Sequence, residues 1–298
     1  MRDGLLLRTL SCLSLAAALG ACATTDGRPP ADPAPTASAV VAAHDNLNAT
    51  LWMQHSAEYV ATLRGVFAQA EQQLDAALAD PDWDALPIED RRLGSGFEDL
   101  PPAIIVDADE TLIDNSPFQA RAIRDNQPFE LQRWEAWTNE RRARALPGAL
   151  EFARHAAERG VTVFYVTNRG HEKERDATAD NLRTLGFPVS ENLDNLLLLG
   201  DPRAPAREKG ERRKWVGERY RVLLMLGDNL GDFIDGVSAD ADTRARRAAP
   251  YAQWWGKRWF MLPNPAYGSW ESAIQRACDL ELRQRDARAC ARSTLRTD

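Results

Sequence analysis

Short polar segments rich in aspartate directly follow four apolar runs of this 298-residue chain. Apolar runs without alternation predict buried strands of a parallel sheet, and the carboxyl ends of such strands meet at one edge. A hydrophobic core does not need carboxylates at these positions, so their shared placement predicts a single site. The polar segments are residues 107–111, 167–169, 200–201 and 227–232.

The carboxylates of the first and fourth segments have the character of a hard-cation site. Mg²⁺ prefers oxygen ligands and keeps several waters, so a few carboxylates are enough to hold it. Asp107 and Asp228 follow two different strands and form the best ligand pair. The turn after Asp107 also offers the backbone carbonyl of Asp109. A bound Mg²⁺ would let a carboxylate approach an anionic phosphate ester.

The spacing of Asp107 and Asp109 predicts two different roles in phosphoryl transfer. Asp107 is the expected nucleophile, which would attack phosphorus and form an aspartyl phosphate. Asp109 lies two residues further on and is the expected general acid for the leaving alcohol. It would then act as the base for the water that hydrolyses the intermediate. A lone Asp-x-Asp is a weak signal, but here it matches the other strand-end segments in order.

Supporting groups are available on the later segments. Thr167 is expected to donate its hydroxyl to the phosphoryl group. A lysine is needed to stabilise charge and to hold the nucleophile; Lys209 is the first candidate and Lys214 the second. Asp232 is expected in a supporting position, where it would order metal-bound water.

The elements that must position these residues alternate between strand and helix. Strands are predicted at residues 104–106, 161–166, 196–199, 222–226 and 259–262, with helices at 149–159, 172–185 and 207–219. Strands separated by helices imply an α/β fold with a doubly wound, mainly parallel sheet. Residues 46–79 have helical periodicity and predict an N-terminal extension of one long or two shorter helices. The insertion after the first strand predicts a small cap.

The N-terminus has the pattern of an export signal with a lipid anchor. Arg2 and Arg8 precede an apolar run that is too short to span a bilayer. The run ends in small residues before Cys22, which resembles a bacterial lipobox and predicts lipidation of that cysteine. Ala23, rather than Asp, then favours the outer membrane by resemblance to lipoprotein sorting rules. The predicted division is a signal peptide at 1–21, the lipidated cysteine with a flexible tether at 22–45, and the folded domain at 46–298.

The net charge and the cysteines restrict the possible partners and disulfides. The net charge of −7 argues against a nucleic-acid polymer, which would require a basic surface. An exported protein is allowed disulfides, and Cys278 and Cys290 are available for one. In one continuous helix these cysteines would lie ~18 Å apart, so a bridge requires a break between them. No Gly or Pro marks such a break, and the pairing stays open.

Three of these segments, together with Lys209, resemble the four motifs of the haloacid dehalogenase superfamily. The segments that carry the resemblance are Asp-Ala-Asp-Glu-Thr, Thr-Asn-Arg, Lys209 and Gly-Asp-Asn. The chain is more similar still to the class C acid phosphatases, the outer-membrane lipoprotein e type of 5′-nucleotidase. Supporting segments lie at 46–49, 51–59, 114–117, 146–152, 227–233 and 263–270, so the resemblance covers about residues 46–275.

The resemblance implies a Mg²⁺-dependent phosphomonoesterase acting on nucleoside 5′-monophosphates and other small phosphomonoesters. Aromatic side chains flank the nucleobase in that family, and Trp134 and Tyr267 occupy matching places. Packing within the core or cap is the alternative for both. Arg169 is a further candidate substrate contact, with a structural salt bridge as its alternative.

Other functions fit the same scaffold. A surface lipoprotein could bind a nucleotide or cofactor without turnover, but it would not need both Asp107 and Asp109. A phosphotransferase would differ only in what accepts the phosphoryl group. A dehalogenase is disfavoured because it does not require the acid–base chemistry of Asp109.

Overall fold

The computed structural model describes residues 45–91, 96–278, 281 and 286–297. The predicted signal peptide, Cys22 and nearly all of the predicted tether lie outside these residues. Among the described residues, no helix is both long enough and apolar enough to cross a membrane.

The N-terminal extension consists of two helices, α1 (Leu47–His55) and α2 (Ala57–Ala79). Ser56 separates them because its backbone is extended, and its hydroxyl caps α2 by accepting a hydrogen bond from the Tyr59 N–H. The buried face of α2 recurs at helical spacing. The prediction of helices in this region is therefore confirmed, in its two-helix form.

The central sheet has five parallel strands in the order β5-β4-β1-β6-β7. Their bounds are β1 (Pro102–Val106), β4 (Thr162–Gly170), β5 (Leu196–Leu199), β6 (Arg221–Gly227) and β7 (Trp259–Met261). The helices between them are α5 (Ala149–Glu158), α6 (His171–Leu185), α7 (Gly210–Gly217) and α8 (Ala241–Ala248). The predicted α/β fold with a mainly parallel sheet is confirmed.

Both faces of the sheet are covered, which explains the continuous apolar character of its strands. Successive side chains of a strand point to opposite faces. Ile104 and Val106 accordingly lie in one buried cluster with α2 and α5 residues, whereas Ile105 lies in the other with Val216 of α7. Such double-sided burial is expected for a parallel sheet.

The cap is inserted between β1 and α5. It contains α3 (Ser116–Arg124), α4 (Leu131–Asn139) and an antiparallel pair, β2 (Ile113–Asp114) with β3 (Arg144–Ala145). Phe118 and Trp134 pack edge to face between α3 and α4, with ring centroids 5.2 Å apart. This insertion matches the small cap predicted from the sequence.

The C-terminal segment carries the disulfide that the sequence left open. Helix α9 (Ser269–Arg276) ends before Cys278, and α10 (Ala287–Ser293) contains Cys290. The chain is thus not one continuous helix, and the two Cα atoms lie 5.7 Å apart in the bridge Cys278–Cys290. The break was not predictable from Gly or Pro, because neither residue type lies between the two cysteines.

Candidate active site

Asp107 lies directly after β1, where the register of the sheet fixes its backbone. Val106 is level with Leu226 of β6, and the Asp107 N–H donates to the Leu226 carbonyl at 3.0 Å. The side chain of Asp107 is buried, and its Oδ1 lies 2.5 Å from the Lys209 Nζ. Burial raises the pKa of Asp107 above its ordinary value, and the charge of Lys209 opposes that rise.

Lys209 bridges two carboxylates at this edge of the sheet. It is the residue just before α7, and its Nζ lies 2.5 Å from Asp107 and 2.7 Å from Asp232. Burial alone would lower the pKa of Lys209, but the charges of Asp107 and Asp232 outweigh it and raise the pKa. Lys214, the second candidate, is half exposed and 4.0 Å from Asp90. The structure thus places Lys209, and not Lys214, beside Asp107.

Three carboxylates converge with the geometry of a cation site. Single oxygens of Asp107, Asp228 and Asp232 all lie within 4.8 Å of one another. Burial, followed by the charges of Asp232 and Asp107, raises the pKa of Asp228 well above its ordinary value. Buried carboxylates that repel one another are stabilised by a bound cation, so this oxygen-only set fits a hard divalent metal.

Asp228 itself is oriented from two sides. The Asn264 side-chain amide donates to Oδ2 at 2.8 Å, and the Thr111 hydroxyl donates to Oδ1 at 3.4 Å. Asn264 belongs to the loop after β7, and Thr111 belongs to the polar segment after β1. Two neighbouring strands therefore hold the carboxylate that follows β6.

Asp232 has hydrogen-bond partners at both of its oxygens. Oδ1 is paired with Lys209, and Oδ2 accepts from the Asn229 N–H at 2.8 Å. The same Oδ2 would lie only 2.3 Å from a Cβ placed on Gly227. The glycine at the end of β6 therefore leaves the space that the Asp232 side chain fills, and this arrangement suits the supporting role expected for Asp232.

Asp109 points to a different set of partners from Asp107. Its carboxylate accepts hydrogen bonds from Arg169 at 2.8 Å and from the Asn115 side-chain amide at 2.8 Å. The Thr167 hydroxyl lies 3.4 Å from its second oxygen. The side chain is 15% exposed, so it is held firmly and still reaches the open edge of the site.

Strand β4 is longer than the sequence indicated. The polar residues 167–169 were expected to follow the strand, but β4 continues through Gly170, which pairs with Leu199 beyond an irregularity in the register. Because side chains alternate along a strand, Thr167 and Arg169 share one face and both reach Asp109. Asn168 points the other way and accepts a hydrogen bond from Arg212 at 2.6 Å.

Arg169, the further candidate substrate contact, lies on β4 beside Asp109. It is 1% exposed and forms an ion pair with Asp109. The ion pair is the salt-bridge alternative that the sequence offered for this residue. The sequence did not identify Asp109 as the partner because the contact depends on how β1 and β4 are aligned.

Asp201, at the end of β5, does not join the carboxylate cluster. Its side chain is paired with Arg203 at 2.7 Å and lies 3.6 Å from His171. The expectation that all four strand-end segments form one site therefore holds for three of them. Strand β5 is the edge strand, two positions from β1, and this distance within the sheet explains the separation.

Several residues of the site were not singled out from the sequence. Glu110 is fully buried, and burial, followed by the charges of Asp109 and Asp228, raises its pKa well above its ordinary value. Its φ of +55° is rare for a residue with a side chain. Its carboxylate accepts hydrogen bonds from the Asn115 N–H and from the Tyr267 hydroxyl. Its adjacency to Asp109 was the available signal.

The two candidate aromatic contacts both lie beside the catalytic segments. Trp134 of α4 is half-buried, and the Arg169 guanidinium carbon lies 5.8 Å from its ring centroid. Tyr267 is half-buried in the loop after β7, and its hydroxyl donates to Glu110. Trp137, by contrast, is buried and donates its indole N–H to Asn115 at 2.8 Å. Tyr267 thus contacts the acidic segment after β1, Trp134 lies beside Arg169 of β4, and Trp137 contacts Asn115, the residue before α3.

The fold and the site together define a class: an α/β protein with an aspartate pair after its first strand and a lysine-bridged carboxylate cluster at the same edge. A family model described as HAD superfamily, subfamily IIIB (acid phosphatase), matches residues 34–270. The chain belongs to this family.

Solved structures give the same relationship. The Class C acid phosphatase from Bacillus anthracis is 28% identical, with a TM-score of 0.70 over 85% of this chain and 97% of that one. A second structure of that protein, with tungstate bound, has a TM-score of 0.71 and 29% identity over the same shares of the two chains.

Curated relatives match over a smaller share of the chain. Acid phosphatase 1 of Solanum lycopersicum is 28% identical over 167 residues, which are 55% of this chain and 57% of the relative. A stem 28 kDa glycoprotein of Glycine max is 24% identical over 165 residues, 53% of this chain and 57% of the relative. The chain thus spans a little over half the length of the curated relatives it matches.

Proposed function

We propose that this protein is a Mg²⁺-dependent phosphomonoesterase that acts through an aspartyl phosphate on Asp107. The observation that carries the proposal is that Asp107 pairs with Lys209 and has an oxygen within 4.8 Å of carboxylate oxygens of Asp228 and Asp232. Family membership and the likeness to acid phosphatases support the same reaction class. Tungstate, which the Bacillus anthracis relative binds, is an oxyanion like phosphate and supports an anion site here.

The residues that would hold the metal are Asp107 and Asp228 by their side chains and Asp109 by its backbone carbonyl, with Asp232 supporting them. When bound, Mg²⁺ supplies the positive charge that lets a carboxylate approach a phosphoryl group. Lys209 holds Asp107 in place and contributes a second positive charge beside it. Thr167 offers a hydroxyl to the phosphoryl oxygens.

The reaction then proceeds in two steps on this chain's own groups. Asp107 attacks phosphorus, the bond to the leaving oxygen breaks, and Asp109 gives its proton to that oxygen. In the second step Asp109 accepts a proton from water as the water attacks the phosphorus of the aspartyl phosphate. The bond between phosphorus and the Asp107 oxygen breaks and phosphate leaves, so Asp107 is again a carboxylate and Asp109 is again protonated.

Nucleoside 5′-monophosphates are the proposed preferred substrates. Trp134 and Tyr267 are half-buried aromatic residues on the cap and on the loop after β7, so each retains ring surface that a nucleobase could cover. Stacking of a base on an aromatic ring contributes about 1–3 kcal/mol in proteins that bind single strands. Their anchoring to Arg169 and Glu110 places both rings next to the catalytic segments.

A phosphate-release panel tests this proposal. The soluble domain from residue 46 onward would be assayed with nucleoside monophosphates, aryl phosphates and sugar phosphates, with Mg²⁺ and after chelation. We expect turnover only with the metal, and the lowest KM for nucleotides. Trp134→Ala should raise KM for nucleotides far more than for a sugar phosphate. Full activity without metal would contradict the proposed cofactor, and equal effects of Trp134→Ala on both substrates would assign Trp134 to packing.

We also propose that the mature protein is anchored to the outer membrane through a lipid on Cys22. The support is the small-residue pattern before Cys22 and the Pro- and Ala-rich segment after it. Cys22→Ser should shift the protein from the membrane fraction to the soluble exported fraction. Unchanged membrane partitioning of this variant would contradict the anchor.

A further inference from the structure

The two oxygens of the Asp109 carboxylate have different surroundings. Oδ1 accepts three hydrogen bonds: from the Arg169 Nε at 3.0 Å, the Arg169 Nη2 at 2.8 Å and the Asn115 Nδ2 at 2.8 Å. Oδ2 has only longer contacts, from the Arg169 Nε at 3.2 Å and the Thr167 Oγ1 at 3.4 Å. Oδ1 therefore accepts the shorter and more numerous hydrogen bonds, whereas Oδ2 accepts only longer ones.

The donors that hold Oδ1 are themselves fixed. Arg169 is buried, and its Nη1 donates to the Thr178 hydroxyl of α6 at 3.2 Å. Its guanidinium lies near the ring of Trp134 in the cap, with 5.8 Å to the centroid. A guanidinium cannot lose its proton under ordinary conditions, so it stays a donor throughout the reaction.

Asn115 is fixed equally well. It is fully buried, and its side-chain carbonyl accepts the Trp137 indole N–H at 2.8 Å. This hydrogen bond sets the orientation of the amide, because the carbonyl must face Trp137 and the NH₂ must then face Asp109. The Asn115 backbone N–H is also bound, to Glu110 at 2.8 Å.

We propose that Arg169 and Asn115 are positioning residues that make Oδ2 the reacting oxygen of Asp109. An oxygen that accepts three hydrogen bonds has no room for a proton of its own, so the transferable proton resides on Oδ2. The inference rests on the proposed function, in which Asp109 is the general acid and base. Oδ2 is then the oxygen of Asp109 that transfers the proton. Arg169 positions Asp109 and does not contact the substrate.

The first chemical step can be written at this atom. As Asp107 forms its bond to phosphorus, the bond between phosphorus and the leaving oxygen breaks. The proton on Asp109 Oδ2 moves to that oxygen, which departs as an alcohol, and Asp109 becomes a carboxylate. Oδ1 stays bound to Arg169 and Asn115, which prevents rotation of the carboxylate away from the leaving group.

The test compares leaving groups in single-turnover phosphorylation of the Mg²⁺-loaded enzyme. A poor leaving group, an alkyl phosphate, needs the general acid, and an activated aryl phosphate needs it much less. The variants are Arg169→Lys, Arg169→Gln and Asn115→Ser. Arg169→Lys keeps the positive charge but loses the pair of nitrogens, Nε and Nη2, that donate to Asp109. Asp109→Asn provides the reference, and circular dichroism verifies that each variant is folded.

Arg203→Gln is the matched control. Arg203 also binds an aspartate with two nitrogens, Asp201, and lies 5.0 Å from the ring centroid of a tryptophan, Trp215. Its other contacts are the carbonyls of Asp194 and Leu196 on the far side of β4. This control separates the loss of an Arg–Asp pair elsewhere in the fold, with Arg203 26% exposed, from the loss of the one at Asp109.

General acid assistance typically contributes about 10²–10⁴-fold. We expect Asp109→Asn to reduce the phosphorylation rate with the alkyl phosphate by about 10²–10⁴-fold more than the rate with the aryl phosphate. Arg169→Lys and Asn115→Ser should also lose more rate with the alkyl than with the aryl phosphate, by roughly 10–100-fold, with little change in KM. Arg203→Gln should show no such difference between the two substrates. If Asp109→Asn is selective but the folded Arg169 and Asn115 variants lose both rates equally, the positioning role is wrong. If Asp109→Asn is not selective, the acid assignment in the proposed function fails, and the inference fails with it.

Discussion

At the scale of single residues, the site depends on charges that are buried together. Lys209 is the cation that lies between Asp107 and Asp232, and it compensates part of their repulsion. The sequence supplied two candidate lysines and ranked Lys209 first, but it did not show which of them lies beside Asp107. What distinguishes them is position: Lys209 precedes the first turn of α7 and faces the sheet edge, whereas Lys214 is half exposed.

Replacement of Lys209 by methionine should strongly reduce turnover. Loss of one electrostatic donor from a catalytic site typically costs about 10²–10³-fold in kcat, because the charge that develops on the phosphoryl group is less stabilised. Steady-state kinetics would measure the effect. Lys214→Met is the control and should remain near the parent. Because breaking a buried ion pair can cost about 3–5 kcal/mol, thermal unfolding must show that both variants are folded. Equal losses in the two variants would contradict the assignment.

At the scale of elements, the strands were predictable and their exact extents were not. Apolar runs at β1, β5 and β6 have no polar interruption, so composition alone locates them. Strand β4 runs on through Thr167 and Arg169, whose side chains both contact Asp109 in the segment after the neighbouring strand β1. Such contacts come from the register between strands, which is a tertiary property.

The end of β6 gives a prediction at this scale. A Cβ on Gly227 would lie 2.3 Å from Oδ2 and 2.5 Å from Cβ of Asp232. Gly227→Ala should therefore displace Asp232, reduce activity strongly and destabilise the protein by about 1–3 kcal/mol, the usual range for overpacking.

Gly231→Ala is the matched control in the same loop. A Cβ there would meet the Val237 Cγ2 at 3.7 Å, which is ordinary contact. Chemical denaturation and kcat would be measured for both variants. A folded Gly227→Ala protein as stable and as active as Gly231→Ala would show that Asp232 does not need this space.

At the scale of the whole molecule, the sheet edge collects buried acidic groups from several parts of the chain. Burial raises the pKa values of Asp107, Glu110 and Asp228. Fold class, the aspartate pair and the carboxylate after β6 followed from the sequence because strand ends of a parallel sheet converge. The roles of Glu110, Asn115 and Arg169 did not, because they depend on contacts between segments distant in the chain.

These raised pKa values predict how stability depends on pH. The metal-free folded state holds protons that the unfolded chain releases above pH ~4, so the free energy of unfolding should fall as pH rises from that value. Protons compete with a metal for the same oxygens. Mg²⁺ should therefore raise Tm more at neutral than at acid pH. Thermal unfolding with Mg²⁺ and with chelator would measure this. Asp228→Asn should reduce the shift, and an undiminished shift in that variant would contradict the proposed ligand.

The central claim is that Asp107 becomes phosphorylated. Rapid-quench trapping of hydroxylamine-sensitive phosphoprotein, with an activated aryl phosphate and Mg²⁺, tests it most directly. The parent should form the adduct transiently. Asp109→Asn should form it and retain it, because no base activates water. Asp107→Asn should form none with any substrate. An adduct of the same kind in folded Asp107→Asn protein would place the nucleophile on another residue and contradict the account.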